Sequence, residues 1–213
     1  MYQSGHNPEH QETAYMLAQQ FYYHKQPRPI INGEPCYEQL GVLHSYGRYT
    51  RFDVRKVAWQ SVLSGAGAGI TYGAHGIWSW HLAGGEFGIS GEAFETPYDW
   101  RSALKFEGAW DYAFLKSFIE EQQLFKLEPK AIVLNQTEEI RIAGHQGTLV
   151  AYVPYNTALQ LDGDYSNYQI EVIELEIKKK VQLECTVEGG ITKIPMHDFV
   201  GDCIYLLKNQ VTS

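Results

Sequence analysis

The sequence is poor in cysteine, short of positive charge and without long apolar runs. Its 3 cysteines, Cys36, Cys185 and Cys203, are too few and too scattered for a disulfide frame or a metal knuckle, and they suit a reducing compartment. Against 25 acidic side chains stand only 17 Lys and Arg, a net charge of −8. That excludes the basic footprint a nucleic-acid partner needs, and it disfavours anionic membrane surfaces. No apolar stretch approaches the ~18 residues of a membrane span. Residues 1–25 lack the basic start and apolar core of a signal peptide, so a cytoplasmic location is favoured. There is no internal repeat and no low-complexity tract.

What is present is an ordinary globular balance, 44% hydrophobic and 20% charged over 213 residues, enough for one medium domain or two small ones. Aromatics are abundant, with 15 Tyr and 5 Trp. They serve either a Tyr-rich core or a cleft with aromatic walls of the kind that holds sugars.

Met1–Ser4 reads as the tail of a strand. Asn7 and Pro8 open a helix whose apolar positions, Ala14, Leu17, Ala18 and Phe21, recur at helical spacing until about Lys25. A short core strand is expected over Arg28–Asn32, with β-branched Ile30 and Ile31 before the turn signal Asn32-Gly33. A loop with Tyr37, His44, Tyr46 and Tyr49 leads to a second helix, capped by Asp53, striped by Val54, Val57, Ala58 and Val62 and stopped at Gly65. Ala68–Tyr72 is a third strand. A Gly-rich loop over 81–98 and a lead-in after Trp100 precede a third helix, Gly108–Phe125. This strand–helix alternation is the rhythm of a parallel sheet with crossover helices.

Past Lys126–Lys130 the texture changes. Ile132–Leu134, Glu139–Ala143, Thr148–Val153, Gln169–Ile177, Val181–Val187 and Cys203–Leu207 are short strand-like runs divided by Gly and Asn/Asp turns. They predict a small antiparallel sandwich over 129–213. The apolar phase slips between Val172 and Ile173, as a bulge would require. The fold class is therefore α/β plus all-β.

Three stretches carry a resemblance: Tyr2-Gln3-Ser4-Gly5-His6, Pro29-Ile-Ile-Asn-Gly-Glu-Pro-Cys-Tyr-Glu38, and Thr71-Tyr72-Gly73-Ala74-His75-Gly76-Ile77-Trp78-Ser79-Trp80. Together they resemble the apiosidase-like glycoside hydrolases, the DUF4038 group. The resemblance implies a (β/α)8 TIM barrel followed by a small β-sandwich, labelled in some members a collagen-binding domain. The three βα units match the last three of eight, and three strands cannot close such a barrel. It therefore implies that residues 1–128 are the C-terminal part of a barrel, with a partner in a separate N-terminal half or in self-association through the open sheet edge. An oligo- or polysaccharide is the implied substrate, with no metal and no organic cofactor.

In such barrels two carboxylates flank the scissile bond. Glu34 matches the nucleophile at the end of strand seven; the alternative is a strand-end acid paired with an arginine. The general acid is expected on strand four, outside this sequence, so the chain alone is expected to be a poor hydrolase. Glu38 and Tyr37 are assigned to the substrate face, Glu38 with a solvated or arginine-paired loop acid as the alternative. His6 and Gln3 could bond sugar hydroxyls, or His6 could cap the first helix. Tyr72, His75, Trp78 and Trp80 suit a stacking wall or packing between the two parts. Arg51 and Arg55 could orient Glu34 or line a solvated helix face. His6-Asn-Pro-Glu9-His10 imitates a zinc-protease string, but Pro8 places His6 outside the helix. Gly65–Gly69 imitates a dinucleotide loop in the wrong helix-to-strand order. The rival function is a non-catalytic carbohydrate- or protein-binding module built on a barrel remnant.

Overall fold

The computed structural model describes residues 1–41, 47–87 and 94–210; His44 and Tyr46 lie outside them. The first region runs β1 (Tyr2–Gln3), a 3-10 turn (Pro8–His10), α1 (Thr13–Tyr22), β2 (Ile31–Glu34), α2 (Arg51–Leu63), β3 (Gly69–Ile70), α3 (Trp100–Ala103) and α4 (Gly108–Glu121). The strands lie in the order β1-β2-β3 and both pairings are parallel, as the alternating rhythm predicts.

Local chemistry moves several boundaries. Asn7 caps only the 3-10 turn, its side chain accepting from the Glu9 N–H at 3.0 Å. α1 starts at Thr13, whose hydroxyl donates to the Ser4 and His10 carbonyls. It buries Ala14, Tyr15 and Ala18, while Phe21 is 43% exposed and outside the core. The middle strand begins three residues later than expected and runs through Asn32-Gly33 to include Glu34. α2 is capped by Thr50, not Asp53. Asp53 sits at the third helical position and accepts from the Thr50 N–H at 2.7 Å, completing a capping box. Gly65, at φ 116°, supplies the left-handed turn past its end.

The second region holds β4 (Glu128–Pro129), β5 (Arg141–His145), β6 (Thr148–Val153), β7 (Leu159–Asp162), β8 (Tyr168–Glu174), β9 (Lys180–Leu183), β10 (Thr186–Glu188), β11 (Ile191–Ile194) and β12 (Cys203–Asn209). They form two antiparallel sheets, β4-β5-β6-β12-β8-β9 and β10-β11-β7. Ile132–Leu134 is not a strand; Val133 makes only an isolated bridge to Leu161. The run expected over Val181–Val187 breaks into β9 and β10. β7 and β11 were not predicted.

The expected bulge in β8 is absent. Its register against β12 runs unbroken from Cys203 opposite Glu174 to Asn209 opposite Tyr168. The apolar run has another cause: the six-stranded sheet is buried on both faces. Val172, Ala151 and Tyr205 pack with Leu159, Leu161 and Ile194 of the smaller sheet. Ile173, Val150, Tyr152 and Ile204 pack instead with Trp59 and Leu63 of α2 and with Leu115 and Phe118 of α4. One apolar core therefore crosses the composition change at Lys126–Lys130.

α2 is the middle layer of this arrangement. Val54 and Val57 face the loops and strands of the parallel sheet, and Ala58, Trp59 and Leu63 face the six-stranded sheet. A buried charge network adds to the apolar contact. Arg55, 4% exposed, donates from Nε to Asp202 at 3.0 Å and from Nη1 to Asp111 at 2.9 Å. Tyr152 also donates to Asp202, at 2.9 Å, and Arg51 and Lys178 both reach Asp111 at 2.7 Å. Burial alone would raise the Asp111 carboxyl, but its bonds to Arg51, Lys178 and Arg55 pull it below the usual range. Arg51 and Arg55 are thus spent on Asp111 and Asp202 and do not orient Glu34.

Candidate functional site

Glu34 is aimed by an irregularity in the parallel ladder. Tyr2 pairs with Asn32 and Gln3 with Glu34, so one step on β1 matches two on β2. Tyr2 and Asn32 both point to the helix layer, where Tyr2 donates to the Ala14 carbonyl at 2.8 Å and Asn32 to Ser61 at 3.1 Å. In a regular strand Glu34 would share that face with Asn32. The extra residue, Gly33, turns it to the side of Gln3.

There Glu34 meets two neutral donors. Gln3 Nε2 donates to Oε2 at 2.9 Å, and His6 Nε2 lies 3.4 Å from Oε1. The Glu34 side chain stays 37% exposed. Burial lowers the His6 pKa, and Glu34 offsets only part of that. His6 is therefore a neutral imidazole whose Nε2–H faces the acid, with Nδ1 left without a protein partner. Its ring packs on Tyr37 at 4.5 Å and Phe94 at 5.9 Å. Burial, then the nearby Glu34 charge, raises the Tyr37 phenol. The Tyr37 ring occupies the space a Cβ on Gly73 would need, 2.1 Å from Cδ1, which is why glycine stands there. Gln3, His6, Glu34 and Tyr37 thus form one group.

Glu38 does not join it. It is 4% exposed and accepts from the Tyr72 hydroxyl at 2.6 Å and the Gly108 N–H at 2.9 Å. It caps the N-terminus of α4, where the helix dipole favours a carboxylate. Burial nevertheless raises its pKa. A Cβ on Gly108 would fall 2.4 Å from Glu38 Oε2, so the pairing requires glycine. The placement replaces the expected substrate-face role of Glu38 with a structural one, and Tyr72 is turned towards it. Tyr72 also lines an apolar groove of about 530 Å³ along the outer side of β3, with Val62, Ile70, Tyr112, Leu115 and Phe125. This groove lies apart from the Glu34 group.

His75 and Trp78 form a second group. Their rings stack at 6.2 Å and 2°, with Phe87 edge-on to both. His75 is fully buried beneath Trp78, which is 48% exposed. Its Nδ1 lies 3.3 Å from the Gln39 carbonyl and 3.4 Å from Arg48 Nη1, and Nε2 has no protein partner. Burial lowers its pKa to about 4, with lesser contributions from Arg48, His81 and His6. Trp80 joins neither group; it packs on Trp100. Phe87 and Phe94 were missed in the sequence, where an aromatic in a Gly-rich loop gives no periodic signal. Among the described residues no cluster of three or more His, Cys, Asp or Glu could hold a metal ion. Cys36, Cys185 and Cys203 are free thiols, and among the described residues no helix is long and apolar enough to cross a membrane.

Glu34 is thus a part-exposed, hydrogen-bonded carboxylate at the end of a parallel strand, and the rings of Tyr37 and Phe94 pack on its neighbour His6. No curated protein matches the chain. Among solved structures, a protein described as a glycoside hydrolase matches at 20% identity and a TM-score of 0.78, over 93% of this chain and 46% of its own. A glycoside hydrolase family 5 protein from Bacteroides vulgatus matches at 20% identity and a TM-score of 0.81, over 99% of this chain and 50% of its own. The chain thus spans about half the length of these structures and shares their fold over nearly all of its own. The family model for the apiosidase-like catalytic domain matches residues 1–126, more than half of the sequence, and the chain belongs to the apiosidase-like family.

Proposed function

We propose that the chain carries the nucleophile side of a two-carboxylate glycosidase site. Residues 1–128 then represent the last three βα units of a (β/α)8 barrel, and residues 129–213 a β-sandwich fixed to it. The grooves along both outer strands support this reading. The one beside β3 is matched by another beside β1, lined by Tyr2, Phe21 and Ile30, where flanking strands and helices would seat.

The observation that carries the proposal is the setting of Glu34. One oxygen accepts from Gln3 and the other faces His6, and no described cation pairs with it to dampen its nucleophilicity. In the reaction, a Glu34 oxygen attacks the anomeric carbon as the bond to the leaving oxygen breaks. A second carboxylic acid protonates that oxygen. Glu38 is committed to Tyr72 and Gly108, so the second acid comes from barrel strands beyond these three. Gln3 and His6 hold the Glu34 carboxylate in place, and Trp78, backed by His75, gives a face for the sugar ring. Without the complementary strands the chain turns over little or nothing.

The test is an aryl-glycoside panel assayed with the complementary barrel half present. Glu34→Gln is expected to lower turnover on the order of 10³–10⁴-fold. Equal turnover in both proteins removes Glu34 from the chemistry. The second reading, a non-catalytic carbohydrate-binding module, is favoured by the exposed Trp78 face. It predicts glycan binding by the chain that Glu34→Gln leaves intact, with no hydrolysis once the barrel is complete.

A further inference from the structure

A polar cavity of about 270 Å³ lies where the two regions meet. Glu9, Glu12 and Tyr15 line it from the 3-10 turn and α1, Lys56 and Gln60 from α2, and Glu139 from just before β5. None of these residues belongs to the Glu34 group or to the His75 pair. Gln60 is fully buried, and its Nε2 donates to the Glu139 carbonyl at 2.9 Å. That bond fixes the amide, because turning it over would set two oxygens against each other. Oε1 is then the polar end that Gln60 presents to the cavity, and it has no donor among the described residues. A buried acceptor left without a donor is costly, so it marks the place of a donor brought from outside the chain.

The walls decide the charge of that donor. Glu9, Glu12 and Glu139 are set against Lys56 alone, which pairs with Oε1 of Glu139. Glu12 also meets His10 Nδ1 at 2.8 Å. Arg141 lies 4.9 Å over the Tyr15 ring, but it is off the cavity wall and pairs with Glu138 at 3.1 Å. Burial, then the Glu139 charge, raises the Tyr15 phenol, so the field in the cavity is negative. We propose that this cavity binds a small organic diamine, one ammonium donating to Gln60 Oε1 and the other drawn to the carboxylates of the opposite wall. An extended cation is favoured over a metal ion, because among the described residues no three acidic or metal-ligating side chains converge on one point. Gln60 and Glu139 stand on one wall and Glu9 and Glu12 on the other, so two separated positive charges match the cavity better than one. The bound diamine would bridge α1, α2 and the start of β5. The proposal is independent of the role of Glu34.

The experiment is an NMR titration of the whole chain at low salt with 1,4-diaminobutane, following the side-chain amide of Gln60. Neutral 1,4-butanediol and calcium chloride are titrated in parallel. The Gln60 amide is expected to shift with the diamine alone, with a Kd of ~1 mM or tighter. The unfolding midpoint should rise with diamine concentration. Gln60→Leu should weaken binding about tenfold or more, and Glu12→Gln, at a part-exposed position that leaves the core intact, a few-fold. No shift with the diamine assigns Oε1 to a bound water and overturns the proposal. An equal shift with the diol shows that charge is not read, and the same shift with calcium makes the site a metal site; either overturns it. Affinity unchanged in Glu12→Gln overturns the role of the opposite wall and with it the diamine.

Discussion

The three parallel strands have 2, 4 and 2 residues, whereas the four central strands of the six-stranded sheet have 5 to 7. The first sheet has few ladder bonds of its own and two unpaired edges. The second is long, in register and buried on both faces. Yet the candidate chemistry sits on the weaker sheet. The difference shows where the site gets its rigidity: α2 lies between the two sheets, and its contacts with the larger one fix the smaller. A carboxylate aimed to within a fraction of an ångström needs such backing.

The strongest way to break that dependence is at Arg55. Arg55→Ala leaves Asp202 buried without its cation, and the expected loss is about 3–5 kcal/mol. Urea unfolding followed two ways checks the coupling as well. All 5 Trp lie within residues 1–126, so fluorescence reports the first region while circular dichroism weighs the β-rich second. The two transitions should coincide in the wild type; separate midpoints would mean that the regions unfold independently.

A smaller effect sharpens the comparison through pH. His75 is neutral when folded, with a pKa near 4, and protonates near 6.5 when unfolded. Between those values the unfolded chain binds more protons, so stability falls as pH drops through that window, by up to ~3 kcal/mol. His75→Gln should flatten this slope in stability curves taken from pH 7 to pH 4. An unchanged slope would assign the acid sensitivity to other groups. The smallest expected effect is at the start of α2. Thr50→Ala removes one side of the capping box, for a loss of about 1 kcal/mol in the midpoint of thermal or urea unfolding. A loss near zero would show that packing alone holds the helix end.

Much of this organisation is legible in the sequence, and the gaps have physical causes. The helices announce themselves through periodic apolar positions, and the Thr71–Trp80 and Pro29–Glu38 stretches point to the family. The β2 boundary is misplaced because Asn32-Gly33 reads as a turn, and only the register against β1 shows that the strand continues. The phase slip at Val172–Ile173 reads as a bulge because sequence does not reveal that a second layer waits on the other face. Arg51 and Arg55 look free until Asp111 and Asp202, distant in the chain, arrive beside them. In the site, Glu34, Gln3 and His6 come together as expected from strand ends, whereas Glu38 is claimed by Gly108, 70 residues away.

Gly33 works like a dislocation in a crystal row: one surplus unit, and everything after it faces the other way. Removing a single amino acid here would leave composition, charge and hydropathy almost untouched. The acid would then rotate from the open side towards Ser61 and the helices. The orientation of the reactive group is thus encoded by a count of residues, not by any one side chain.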